Sequence, residues 1–155
     1  MRNLVFSVLV TALTPFFFCG CAGIDAGPYR ARVVYVYDGD TVKLDNEERV
    51  RYLGIDTPEM NYKNPPAEYL AEQAKEFNSR LVKGKNVRLE FDTVRRDKYN
   101  RLLAYVYVDK TFVNAELIKA GYAKVYIIPP NTKYADDFLS LQRRSKNERK
   151  GIWAY

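Results

Sequence analysis

The sequence contains no histidine. Ser-His-Asp and Cys-His catalysis are thereby excluded, as are zinc sites built on imidazole. Any acid–base chemistry must come from carboxylates, lysine, tyrosine or metal-bound water. Cysteine is nearly as scarce: Cys19 and Cys21 both lie close to the N-terminus, so the chain beyond them holds no internal disulfide. A domain without disulfides relies on its core, and 155 residues of which 47% are hydrophobic suffice for one such domain but not two. Internal repeats and low-complexity tracts are absent as well. What is abundant is aromatic, with 13 Tyr and 8 Phe, and basic, with 25 Lys and Arg against 19 Asp and Glu for a net +6. A basic surface suits polyanions such as nucleic acid or anionic membrane, but charge alone does not choose between them.

Residues 1–20 read as an export signal: Arg2 supplies a positive start, and the run from Leu4 to Phe18 is apolar but interrupted by Thr14 and Pro15. The run Phe18-Cys19-Gly20-Cys21-Ala22 resembles a bacterial lipobox, with Cys21 as the lipid-bearing first residue of the mature chain. The alternative is cleavage after Ala22 and release as a soluble protein. Either way the chain is expected to be exported: a cell-envelope lipoprotein anchored to the membrane through Cys21, or a secreted one. Residues 21–28 read as a tether and 29–155 as a single folded domain.

Within that domain, β-branched and aromatic residues predict strands over 30–37, 41–44, 49–55, 87–91 and 102–108. Asp38-Gly39-Asp40 reads as a turn, with Gly39 supplying a positive φ. Val50 and Tyr52 should share one strand face, and Arg49, Arg51 and Leu53 the other. A helix is predicted over 66–83, with Asn64 as N-cap, Pro65 at the first helical position and Gly84 as terminator. Ala67, Leu70, Ala71, Ala74, Phe77, Asn78 and Leu81 form its apolar stripe. A short helix over 114–120 and a basic one over 134–149 complete the pattern. Five short antiparallel strands with a helix after the third imply a mainly β, α+β domain: a five-stranded Greek-key barrel of the OB type with about three helices.

Three segments carry the chemistry: Asp38-Gly39-Asp40-Thr41, Arg51 to Glu59 (R-x4-D-T-P-E), and Asp97-Lys98-Tyr99-Asn100-Arg101. Each alone reads as a turn with flanking charge. Their order on a five-strand pattern resembles the thermonuclease, or staphylococcal nuclease, family. The likeness extends to R-L-E-F-D at 88–92, L-A-Y-V-Y at 103–107, A-K-V at 123–125 and I-W at 152–153.

That resemblance implies a Ca²⁺-dependent nuclease acting on DNA and RNA, preferably single-stranded, and leaving 3′-phosphate ends. Asp40, Asp56 and the Thr57 carbonyl would hold Ca²⁺, a hard cation that takes oxygen ligands. Glu59 would act as general base on the attacking water, and Arg51 and Arg101 would grip the phosphate. Lys98 and Tyr99 would contact a further substrate phosphate, and Tyr126 is a candidate base-stacking ring. The protein is expected to be a monomer. Two positions depart from the family's pattern. The stretch Tyr126-Ile127-Ile128-Pro129 differs in length and aromatic placement, and Asn100 stands where glycine is common. Asparagine also tolerates left-handed backbone, so Arg101 can still be presented. The rival class is a silent barrel that only binds nucleic acid or protein, which typically loses the metal and arginine positions. A basic lipoprotein binding anionic envelope polymers would explain the charge but not the constellation.

Overall fold

The computed structural model describes residues 28–63 and 65–154. The signal segment, Cys21, the cleavage position Ala22, nearly all of the tether and the N-cap candidate Asn64 lie outside the described residues.

Five strands close a mixed barrel. β1 (Tyr29–Val36) pairs antiparallel with β2 (Thr41–Leu44) on one side and with β5 (Asn86–Glu90) on the other. β2 continues to β3 (Arg49–Tyr52), and β5 to β6 (Leu102–Val108), both antiparallel. The ring is sealed by a parallel pairing of β3 with β6, in which Arg51 stands opposite Leu103. The expected OB-type barrel is therefore present. Its interior is aliphatic: Val33, Val42, Leu44, Val50, Val87 and Val106 are fully buried, each worth about 1.5–3 kcal/mol of hydrophobic stabilisation.

Val50 and Tyr52 point inward and Arg49 and Arg51 outward, as the alternation predicts. Leu53 does not follow them. The strand predicted over 49–55 breaks after Tyr52, and the chain turns through Leu53 and Gly54 before β4 (Ile55–Asp56), so Leu53 is buried. Gly54 adopts φ 77°, and a Cβ there would lie 2.7 Å from the ring of Phe138, so the turn needs glycine twice over. β4 pairs with β8 (Lys124–Val125), a two-residue strand too short to show a period in sequence, as is β7 (Thr111–Phe112).

The helix predicted over 66–83 begins later. α1 spans Ala71–Val82, while Pro65 and Pro66 precede it in irregular backbone. The Glu68 N–H is bonded to the Glu59 carbonyl, and Leu70 is left-handed at φ 65°, so a helical start before Ala71 is barred. The stripe holds from Ala71 onward, with Ala71, Ala74 and Asn78 buried, whereas Ala67 and Leu70 lie off the helix. α2 (Val113–Lys119) and α3 (Ala135–Asn147) pack on one another, and Phe138 of α3 joins the core. A 3₁₀ turn, Gly151–Trp153, docks back through Ile152 N–H to the Gly121 carbonyl at 2.9 Å.

Candidate active site

The acidic half of the site is built around Arg51. Its guanidinium Nη1 lies 2.9 Å from Asp40 Oδ2, and Nη2 lies 2.7 Å from Asp56 Oδ1. Nη1 also donates to the carbonyls of Tyr52 and Ile55, at 3.1 and 2.9 Å. One side chain thus spans the Leu53–Gly54 turn and holds two carboxylates from separate segments, Asp40 and Asp56. Asp40 accepts, on the same Oδ2, the Thr57 backbone N–H at 2.8 Å and the Thr57 hydroxyl at 3.0 Å.

Gly39 permits this closeness, though not for the reason the turn suggested. Its φ is not positive; instead a Cβ would fall 2.7 Å from Thr57 Cβ. The turn is backed by Asn78 of α1, which accepts from Tyr52 Oη at 3.0 Å and donates to the Asp38 carbonyl at 3.2 Å.

Asp40 is 2% exposed, and desolvation pushes its carboxyl up to about 7. Arg51 and the two Thr57 hydrogen bonds pull the other way, and Asp38 adds repulsion. The ion pair therefore does not offset the burial of this carboxylate, and additional positive charge would stabilise it. Among the described residues no group of three or more acidic, histidine or cysteine side chains forms a cation cage. A site here would have two carboxylates, a backbone carbonyl from Thr57 and water. That hard-oxygen set fits a divalent cation of the calcium type.

Glu59 follows three residues after Asp56, at the edge of a cleft of about 620 Å³. Arg51, Lys98, Tyr99, Arg101 and Tyr126 line the same cleft. Desolvation raises the Glu59 carboxyl above its usual range, helped by Asp38 and opposed by Arg51. The two arginines meet because of the parallel β3–β6 pairing: Arg51 faces Leu103, two residues beyond Arg101. Tyr126 is 54% exposed and reaches the cleft because β8 runs beside β4, with its N–H bonded to the Gly54 carbonyl at 3.0 Å.

The loop before β6 is organised by Asp97. Its Oδ1 accepts the N–H of Tyr99 at 2.9 Å and of Arg101 at 3.0 Å, and its Oδ2 accepts Arg101 Nε at 2.7 Å. Asn100 takes φ 62°, the left-handed conformation expected of it. Lys98 Nζ and the Arg101 guanidinium both approach the exposed Tyr99 ring, at 5.1 and 5.6 Å from its centroid.

Every predicted site residue from Asp40 to Tyr126 therefore belongs to one connected region: Arg51, Glu59, Lys98, Tyr99, Arg101 and Tyr126 around the cleft, with Asp40, Asp56 and Thr57 behind Arg51. The lipidation candidate Cys21 lies outside the described residues. Sequence reasoning gave no role to Asp97, Asn78, Asn114 or Asn131, which hold this frame. Asn114 ties Val106 N–H to the Leu53 carbonyl, both at 2.9 Å. Asn131 bonds the N–H and carbonyl of Val94, both at 2.8 Å, and so joins two walls of the cleft. Two signals were available: Asp97 opens the third motif, and Asn78 is a polar residue inside an apolar stripe.

The family described as Staphylococcal nuclease homologue matches residues 49–155. The chain is 47% identical over 122 residues to the SPbeta prophage-derived endonuclease YokF of Bacillus subtilis, covering 76% of this chain and 41% of that protein. It is 44% identical over 122 residues to Endonuclease YncB of the same organism, covering 76% of this chain and 58% of that protein. The chain thus spans only about half the length of these two relatives. A thermonuclease of Staphylococcus hyicus is 33% identical over 148 residues, covering 94% of this chain and 86% of the relative. On this match, and on the barrel and site geometry, the chain belongs to the staphylococcal nuclease homologue family.

Proposed function

We propose that the chain is a Ca²⁺-dependent nuclease that hydrolyses phosphodiester bonds of DNA and RNA, with single strands preferred. The observation that carries this reading is the convergence of two guanidinium groups and one carboxylate, Arg51, Arg101 and Glu59, on one cleft, with Asp40 and Asp56 held against Arg51. The family supports it, as do relatives named endonuclease and thermonuclease.

Asp40, Asp56 and the Thr57 carbonyl would hold Ca²⁺, which would supply positive charge for the phosphate and lower the pKa of water. Glu59 accepts the proton of the attacking water, and its raised pKa brings its basicity nearer to neutral pH, where a general base works best. Arg51 and Arg101 donate to the non-bridging oxygens from two sides, where charge accumulates as phosphorus becomes five-coordinate. Lys98 and Tyr99 contact a neighbouring phosphate, and Tyr126 stacks on a base. Cleavage leaves a 3′-phosphate end. On this reading the chain acts after export, anchored at the cell envelope through Cys21 or, alternatively, released after cleavage at Ala22; diacylglyceryl on Cys21 in the membrane fraction is the signature that mass spectrometry would seek.

The experiment is digestion of single-stranded DNA and of RNA by the purified chain, with Ca²⁺ or with chelator. Cleavage is expected only with Ca²⁺. Equal degradation in chelator, or none in either condition, would sink the reading.

A further inference from the structure

A second depression, of about 280 Å³, adjoins the cleft and shares Glu59 with it; Asp38, Met60, Asn61, Tyr62 and Lys63 form the rest of its lining. A chain lying in the cleft and passing Glu59 runs directly into this depression. The nuclease reading assigns it nothing.

Tyr62 is the unusual residue there. Its ring is 61% exposed, yet its position is held by two hydrogen bonds. The hydroxyl donates to the Tyr37 carbonyl at 2.6 Å and accepts from Lys75 Nζ at 2.6 Å. Lys75 Nζ lies 5.2 Å from the Tyr62 ring centroid and 5.7 Å from that of Tyr35. Tyr35 is 45% exposed because the register of β1 against β2 slips between Val33 and Tyr35, a bulge that turns two successive residues, Val34 and Tyr35, outward. Neither ring belongs to the hydrophobic core. An exposed aromatic ring ordinarily keeps its rotamer freedom; one already tethered loses less entropy when a flat partner stacks on it.

Charge decides which part of a nucleotide fits where. Asp38 and Glu59 belong to the lining and repel phosphate, so the space beside them suits a base. Lys63 of the lining, and Lys75 bonded to the Tyr62 hydroxyl, supply positive charge along which a backbone can run.

We propose that this depression is a nucleotide subsite of the same active centre, with Tyr62 as its stacking face and Lys63 and Lys75 along the backbone. It takes the nucleotide on the side of the scissile phosphate away from Tyr99, and it rests on the nuclease reading. Base faces in a duplex are covered by their neighbours, so the subsite selects single strands.

The test compares wild type with Tyr62→Ala and Tyr62→Phe on two substrates in Ca²⁺: single-stranded oligodeoxynucleotides, and a methyl diester of thymidine phosphate, followed by chromatography, which puts only a methyl group on the subsite's side of the scissile phosphate. Tyr62→Ala is expected to raise KM for the oligonucleotide roughly tenfold, as loss of one base–aromatic stack implies, and to leave the diester unchanged. Tyr62→Phe keeps the ring but loses both hydrogen bonds that tether it, and should raise KM by less than Tyr62→Ala does. A parallel arm in chelator measures quenching of 2-aminopurine in a bound oligonucleotide, which wild type should show more strongly than Tyr62→Ala. An unchanged oligonucleotide KM, or equal loss on both substrates, would overturn the subsite. Absence of hydrolysis by wild type would instead strike the nuclease reading, with the quenching arm still deciding whether Tyr62 stacks on a base.

Discussion

Glu68 holds Glu59 through main chain and side chain at once. Its N–H donates to the Glu59 carbonyl at 3.0 Å, and its carboxylate accepts the Glu59 N–H at 3.1 Å. The proposed base thus sits on a loop clamped to the approach of α1, and the clamp requires an acceptor at the end of the Glu68 side chain. Glu68→Ala is expected to lower kcat substantially, up to roughly 10²-fold if Glu59 shifts by about an ångström. Glu68→Gln keeps the acceptor and should retain most of the activity. Steady-state kinetics of both variants, with thermal melts to verify folding, provide the measurement.

The same pair explains what sequence could and could not reveal. The barrel was legible because its strand segments are rich in β-branched and aromatic residues, and those of β3 and β5 also alternate with a period of two, both purely local signals. The start of α1 was not, because it is set by the bonds of Glu68 to Glu59, nine residues before it, and by left-handed Leu70, which no periodicity announces. The motifs grouped Arg51, Asp56 and Glu59 as site candidates because the three lie on one short segment. They did not reveal how Arg101 joins them, which depends on a parallel strand pairing between distant segments. Nor did they expose Asn114 or Asn131, whose roles consist of bonds to remote backbone. Gly39 was read for its backbone freedom, when the controlling fact is a neighbour from another segment.

That neighbour makes Gly39→Ala a sharp probe. The added methyl would lie 2.7 Å from both Cβ and Oγ1 of Thr57, whose N–H and hydroxyl are bonded to Asp40. Overpacking of this kind destabilises by about 1–3 kcal/mol. Because the strain falls on the proposed cation ligands, the Ca²⁺ concentration for half-maximal activity should rise along with the loss in Tm. A variant that lost stability but kept its Ca²⁺ dependence would separate the turn from the cation site.

Acid sensitivity should originate partly in carboxylates that do not line the cleft. Burial would raise Glu90 and Asp92, but hydrogen bonds outweigh it and hold both carboxyls below their usual values. Glu90 is bonded by Lys133 and Tyr134, and Asp92 by the N–H groups of Lys133 and Thr93 and by Tyr105 Oη. A carboxyl depressed in the folded state contributes stability that is fully present above its unfolded pKa and is lost as pH falls through the folded value. Chemical denaturation should therefore show a decline in stability starting near pH 4, around the unfolded carboxylate pKa values of about 3.9–4.3. Asp92→Asn should lower stability at neutral pH by about 1–2 kcal/mol, through loss of charge-assisted hydrogen bonds, and flatten that acid decline.

Arg51 bears two duties that Ca²⁺ can pull apart. Without a cation it is the positive charge bonded to Asp40, whose side chain is 3% exposed, and it also bridges to Asp56. Removing it strands a buried carboxylate, and breaking a buried pair in this way destabilises by about 3–5 kcal/mol. In Arg51→Met, protonation of Asp40 limits that loss. With saturating Ca²⁺, the cation bound at Asp40 and Asp56 would replace the missing charge, and ligand binding to the folded state raises its stability further. The Tm deficit of Arg51→Met should therefore be large in chelator and shrink in Ca²⁺. Activity should not recover with it, because no cation replaces the guanidinium N–H groups proposed to hold the phosphate, and kcat is expected to stay down roughly 10²–10³-fold. Melting curves and rates measured on the same samples test both halves. A Tm deficit that Ca²⁺ leaves untouched would remove Asp40 and Asp56 from the cation site, whatever the activity.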